Sequence, residues 1–348
     1  MTTPSTQDQN QKKKHIFITG GSGYIGSSVT RLAIAAGYTV TGLSRTPAAD
    51  AKLRALGAEP ARGDLESLDV LRRESAAADA GVLHLADAWA SDMTMPYDRV
   101  IEIDGRAVDA MVSGLRSLDG GGIGTLITTS GSLVVAADPS GAETTEDSPI
   151  WDSPVNGRVS CERQALAHDD GGGKEGRRGA GIRVLALRLA PFVYGRGGSG
   201  VRMFLAAAAA AGEATYVGAG ATRITGVHVE DAARAYIHAL ESDSRRRGPY
   251  NITHETHVTA RELAEAMGRV LGGLPVVSRS FEEVSAKSGG QIIARFLTKE
   301  NRAANGKARR ELGWEPKERG ILQEITEGSY VEVVQDLLRK PVAAASGN

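Results

Sequence analysis

Near its start this chain runs an apolar strand straight into a glycine turn and then a helix, and no other feature narrows its folding options as sharply. The segment reads His15-Ile16-Phe17-Ile18-Thr19-Gly20-Gly21-Ser22-Gly23-Tyr24-Ile25-Gly26, and the apolar residues Ile25, Val29, Leu32 and Ala33 then recur at helical spacing. The three spaced glycines have separate tasks: Gly20 lets the backbone turn tightly, Gly23 lets it approach a pyrophosphate, and Gly26 lets the helix pack against the strand. Phosphates placed there meet the unpaired N–H groups and the dipole of a helix N-terminus. The layout points to a bound dinucleotide, with Tyr24 and Ile25 of the same turn counted among its contacts.

The rest of the chain repeats this alternation of short apolar runs and helix-length segments. Strands are expected at about 15–19, 38–43, 58–61, 81–85, 123–129 and 183–189, and helices at about 24–36, 49–56, 67–77, 98–118 and 159–169. The pattern predicts an α/β fold, a Rossmann doubly wound parallel sheet with a smaller C-terminal substrate lobe. We divide the chain into a disordered tail (1–14), a nucleotide-binding Rossmann domain (15–190), a mainly substrate-binding lobe (191–338) with elements returning to the core, and a tail (339–348). In the lobe, helices are expected near 201–212, 229–241, 259–271, 281–288 and 321–338. Residues 138–157 and the glycine-rich, charged stretch 169–181 read as loops, and Ala206–Ala211 as a packing helix.

Composition closes off other classes. With 41 Lys+Arg against 42 Asp+Glu the formal charge is −1, so no overall field draws the chain to nucleic acid or an anionic membrane. A single cysteine, Cys161, rules out an intramolecular disulfide framework and cysteine-rich metal sites. His254 and His257 have only Glu255 as an acidic neighbour and make a poor metal site, so no metal is expected. The apolar runs fall short of the roughly 20 residues of a membrane span, and a cytoplasmic protein is expected. Arg245-Arg246-Arg247 reads as the solvated end of a helix.

The second strand ends in Ser44-Arg45, where an acidic residue would suit the ribose hydroxyl of NAD; an arginine suits the 2′-phosphate of NADP. The expected cofactor is therefore NADP(H), with Ser44 and Arg45 at the phosphate.

At this point the sequence resembles the extended short-chain dehydrogenase/reductases, in an atypical form, the group that includes NAD(P)-dependent epimerases and dehydratases. The likeness spans roughly residues 15–330. Thr19–Gly26 is similar to that family's TGxxGxxG turn, and Gly63-Asp64-Leu65 to its adenine-contacting segment. His84-Leu85-Ala86-Asp87 resembles the stretch lining the cofactor after strand four, and Thr128-Thr129-Ser130 the stretch ending in the catalytic serine. Arg188-Leu189-Ala190-Pro191-Phe192-Val193-Tyr194-Gly195 resembles the segment beside the nicotinamide. Val227–Ala233 and Leu312–Pro316 complete the series. The resemblance implies cofactor contacts at Asp64, Leu65, Leu85, Ala86, Asp87, Thr128, Pro191 and Val193, and a catalytic Ser130. It implies a small-molecule substrate, and a homodimer by analogy only.

One part departs from the family. Its proton donor is the tyrosine of Y-x-x-x-K, and no tyrosine occupies the corresponding window here. One register places Arg158 and Glu162 at the two positions, and another places Gly157 and Cys161 there. Tyr97, Tyr194 and Tyr216 are the nearest tyrosines in sequence, all in other elements. Three readings stay open. The protein reduces a carbonyl, with Ser130 polarising the oxygen, Arg158 or another donor stabilising the alkoxide, and water or a tyrosine such as Tyr194 giving the proton. Alternatively, it performs redox-neutral isomerisation or elimination, or it binds NADP(H) without turnover. The first is preferred, with Ser130, Arg158 and Glu162 as catalytic candidates, although Arg158 and Glu162 also fit an intrahelical ion pair. Trp89, Tyr194 and His228 are substrate candidates, each set against a packing or capping role.

Overall fold

The computed structural model describes residues 13–339 apart from 90, 91, 93, 119–121, 153, 172–179 and 287–289. The expected tails over 1–14 and 339–348 fall almost wholly outside the described residues, and so do residues 172–179 of the stretch over 169–181.

The first half alternates strand and helix: β1 His15–Thr19, α1 Tyr24–Ala35, β2 Thr39–Ser44, α2 Pro47–Ala55, β3 Glu59–Arg62, α3 Leu68–Ala77, β4 Gly81–His84, α4 Tyr97–Leu115, β5 Ile123–Gly131, α5 Arg158–Leu166 and β6 Gly181–Leu189. There follow β7 Phe192–Tyr194, α6 Ser199–Ala211, β8 Ala214–Val217, β9 Arg223–His228, α7 Val229–Glu241, β10 Gly248–Ile252, β11 Glu255–Thr259, α8 Ala260–Val270 and β12 Val276–Arg279. The chain ends in α9 Phe281–Ser285, α10 Gly290–Thr298, α11 Gly306–Leu312, α12 Ile321–Glu327 and α13 Tyr330–Arg339.

Seven parallel strands form the main sheet, in the order β10-β6-β5-β4-β1-β2-β3. Helices cover both faces, so β6 is buried at every position and carries the apolar run Val184–Leu187 instead of an alternating pattern, with Arg183 and Arg188 buried as well. On one face Val29 and Ala33 of α1 pack with Ala232, Ala233 and Tyr236 of α7; on the other, Leu71 of α3 packs with Ala107 and Met111 of α4. The chain reverses direction across the sheet between β1 and β4, and ligands in such folds gather outside the strand ends at that point.

A further core lies beyond β6. The small sheets β11-β9-β7 and β12-β8 pack with α6, α8, α12 and α13 around Phe192, Leu205, Leu263 and Ile325. Two expectations change here. The helix expected over 321–338 is two helices, broken at Gly328-Ser329, because the non-helical backbone of Gly328 (ψ −148°) ends α12 and Glu324 Oε1 accepts both the Ser329 N–H and its hydroxyl. The seventh core strand, β10, and the helices α10 and α11 have no counterpart among the expected elements. Among the described residues, no helix is long and apolar enough to cross a membrane.

Candidate active site

A cavity of about 560 Å³ opens at the switch point, within the range of small-molecule sites. Its floor is the glycine turn. Gly20 adopts φ +75°, and a Cβ there would stand 2.9 Å from the Ala86 nitrogen. A Cβ on Gly26 would stand 2.0 Å from the Gly20 carbonyl oxygen, which no rotation relieves. The Gly23 N–H donates to Gly20 O at 2.9 Å and closes the turn. No side chain caps α1, and its first turn carries no acidic residue, so its leading amides are left for an anion. This cradle fits a dinucleotide's diphosphate.

The walls come from the loops after the strands. Tyr24 and Ile25 line the cavity beside the glycines, and Arg45, Asp64, Leu65, Leu85, Ala86 and Asp87 line it as expected positions. Asp64 holds its loop through the Glu66 N–H and the Ser67 hydroxyl. Four expected contacts sit elsewhere. Ser44 is buried and its hydroxyl donates to the Thr46 carbonyl, so Thr46, the N-cap of α2, reaches the cavity instead. Thr128 is buried within β5, and its neighbour Thr129 lines the cavity. Pro191 and Val193 are not among the lining residues, and Val193 packs against the core.

At the far end Asp87 forms an ion pair with Arg158 from the first turn of α5. Asp87 Oδ1 also accepts the Trp89 N–H at 2.9 Å, which fixes the carboxylate. Burial opposes the charge on Arg158, but Asp87, with Tyr97, Cys161 and Asp104 behind it, outweighs burial and keeps the guanidinium protonated. A buried chain of bonds lies behind the pair. The Ala86 N–H donates to Thr19 Oγ1, Thr19 Oγ1 and His84 Nδ1 are 2.7 Å apart, and His84 Nε2 stands 3.1 Å from Asp104. Burial alone would raise Asp104, yet bonding and charge from His84 and charge from Arg158 hold its carboxyl below its ordinary range. Burial and then Asp104 push the Cys161 thiol up to about 12, so it stays protonated.

Ser130 lies one residue beyond Thr129, buried, and its Oγ has no hydrogen-bond partner. Such an orphan is uncommon in a folded protein. Glu162 contradicts its expected place. Both its oxygens accept from Arg188 of β6, at 2.6 to 3.1 Å, and the pair is buried. Arg158 and Glu162 therefore do not pair with each other: one turns to Asp87 and the other to Arg188. Glu162 balances a buried arginine in the core of the sheet and is not among the residues lining the cavity.

The substrate candidates are also structural in their surroundings. Tyr194 is fully buried and donates to the Arg319 carbonyl at 2.8 Å, its ring edge-on to His228. His228 caps α7 by accepting the Glu230 N–H, and its ring fills the space a Cβ on Gly195 would need. Trp89 is half-buried against the α3–α4 core. Sequence reasoning missed Met95, Ile103 and Thr129, which line the same cavity.

Comparison with known proteins agrees with this geometry. The model of the NAD dependent epimerase/dehydratase family matches residues 16–253. The chain belongs to that family. Its glycine cleft is accordingly a nucleotide-cofactor cleft. An uncharacterized protein of Schizosaccharomyces pombe, C2A9.02, is 31% identical over 319 residues, covering 90% of this chain and 99% of that protein. The 2-alkyl-3-oxoalkanoate reductase of Stenotrophomonas maltophilia is 26% identical over 294 residues, covering 81% and 82%. Among solved structures, a UDP-glucose 4-epimerase of Thermotoga maritima, determined with UDP-glucose, superposes with a TM-score of 0.70 at 21% identity, covering 93% of this chain and 99% of that one.

Proposed function

We propose that this protein is an NADP(H)-dependent oxidoreductase that reduces the carbonyl of a small organic molecule, or oxidises the corresponding alcohol. The observation that carries the reading is the ion pair between Asp87, which lines the nucleotide cleft, and Arg158, which in one register holds the position of the family's tyrosine. When bound, the nicotinamide dinucleotide supplies the hydride. The glycine turn holds its diphosphate, and Arg45 with Thr46 faces the 2′-phosphate. Arg158, fixed by Asp87, offers positive charge to the oxygen that becomes an alkoxide, and the unpartnered Ser130 hydroxyl donates to the same atom. Arg158 need not reorganise in the process, because Asp87 already holds it. The lobe over 191–338 takes the rest of the substrate. The likeness to a 2-alkyl-3-oxoalkanoate reductase supports carbonyl reduction, and a cytoplasmic location is part of the same proposal.

A second reading, redox-neutral epimerisation in the same cleft, is favoured by the family match itself. Stereospecifically C4-deuterated NADPH, offered with a panel of aldehydes and ketones, separates the two. Deuterium on the product carbon is expected. Product without label would establish the redox-neutral reaction, and tight binding with no product from any substrate would overturn both.

A further inference from the structure

Carbonyl reduction needs a proton as well as a hydride, and neither Arg158 nor Ser130 is suited to give one up. Tyr194, the tyrosine expected from the sequence, spends its hydroxyl on the Arg319 carbonyl. All eight tyrosines lie among the described residues, and only Tyr97 has a buried hydroxyl with no hydrogen-bond partner. We infer that Tyr97, presented by α4 instead of α5, is the proton donor of this site, an inference that rests on the carbonyl-reducing reading above.

Position supports it. The Tyr97 ring lies against Gly157, the N-cap of α5, where a Cβ would stand 2.7 Å from Tyr97 Cδ1 and 2.8 Å from Ile101 Cδ1. Gly157 has an ordinary φ of −78°, so glycine is there for room, not for conformation. In one of the two registers Gly157 is the very position of the family's tyrosine. The ring from α4 thus fills the space that a side chain from α5 would have filled. Tyr97 is not itself among the residues lining the cavity, but Met95 and Ile103, on either side of it in sequence, are, and so is Asp87, the partner of Arg158.

Electrostatics fit the role. Burial pushes the Tyr97 phenol up to about 12; Arg158 pulls it down, while Asp87, Cys161 and Asp104 add to the rise. The free site therefore keeps its proton, and the adjoining guanidinium is the one group among these that favours the phenolate. A ring needed only for packing would be served better by phenylalanine, since a buried unpaired hydroxyl costs about 1–3 kcal/mol. In the reaction, the carbonyl carbon gains hydride, its π pair moves onto oxygen, and the Tyr97 O–H bond breaks to protonate that oxygen. Arg158 holds the phenolate until water returns the proton.

Two measurements on the full chain test this. With carbon-13 at the tyrosine ring carbon bearing oxygen, the Tyr97 signal is assigned by its loss in Tyr97→Phe. It is expected to titrate near pH 12 in the free protein and about one unit or more lower with saturating NADP+, whose nicotinamide is cationic. Tyr97→Phe is expected to melt no lower than the wild type, to bind NADPH equally well, and to lose about a hundredfold or more in kcat for a substrate that the wild type reduces. A Tyr97 signal indifferent to bound NADP+, or full turnover in Tyr97→Phe, overturns the inference. A protein that shows no thermal shift with NADP+ instead removes the cofactor reading beneath it.

Discussion

The phosphate end and the reacting end of this cleft differ in how strictly geometry dictates residue type. At the phosphate end a Cβ on Gly26 would meet a backbone oxygen at 2.0 Å, and backbone cannot step aside. At the reacting end, the needed groups are a cation, a hydroxyl and an acidic proton within reach of one oxygen. Strand, helix or loop can each supply these, and the groups proposed for them come from three elements: Arg158 opens α5, Ser130 lies in β5 and Tyr97 opens α4. A backbone constraint holds the sequence still, whereas a side-chain role can migrate between neighbouring elements. On the proposed reading, this is how the chain keeps the turn of its family without the tyrosine–lysine pair.

The largest expected effect separates reactive from structural carboxylates at the second end. Glu162→Gln leaves Arg188 charged and buried without its partner, and is expected to cost about 3–5 kcal/mol in urea denaturation. A loss below about 1 kcal/mol would return Glu162 to the reactive candidates. Next, Gly26→Ala should weaken NADPH binding about a hundredfold, near 3 kcal/mol by calorimetry, while Gly157→Ala should leave binding intact. Equal affinities in the two variants would erase the contrast between the ends. Smaller still, Arg45→Asp is expected to cost NADPH about tenfold and to narrow its advantage over NADH. An unchanged preference would remove Arg45 from the 2′-phosphate.

The mildest effect is on pH dependence. Cys161 and Tyr97 ordinarily titrate near 9.0 and 10.0, and folding raises both to about 12. Each holds its proton more tightly folded than unfolded. Their stability contribution is therefore complete below about pH 9 and is lost as pH climbs towards 12. Melting temperatures across that range should fall less steeply in Cys161→Ala than in the wild type; parallel slopes would show that the thiol ionises as freely folded as unfolded.

Much of the fold was legible because its signals are local. The glycine turn, the apolar runs and the helical periods placed β1 to β6 and the helices between them within a few residues. Elements whose partners are distant were not legible: β10 is a core strand only because Gly248–Ile252 pairs with β6, some sixty residues upstream. The break in the expected 321–338 helix depends on a side chain of Glu324 folding back onto Ser329. In the site, the cofactor loops followed their strands, but the reacting end did not follow the spacing of α5. Arg158 and Glu162 look like helix neighbours in sequence, yet Asp87 and Arg188, 71 and 26 residues away, decide what each one does. Tyr97 carries no spacing signal at all, since its relation to Gly157 exists only where two helix starts meet.

A crystal structure of the protein with NADP+ would probe both ends at once. We expect the diphosphate against the amides that open α1 and the nicotinamide beside Asp87, Arg158 and Tyr97. A dinucleotide bound with its nicotinamide directed away from that trio, or a glycine turn that makes no contact with phosphate, would contradict the division of labour described for this cleft.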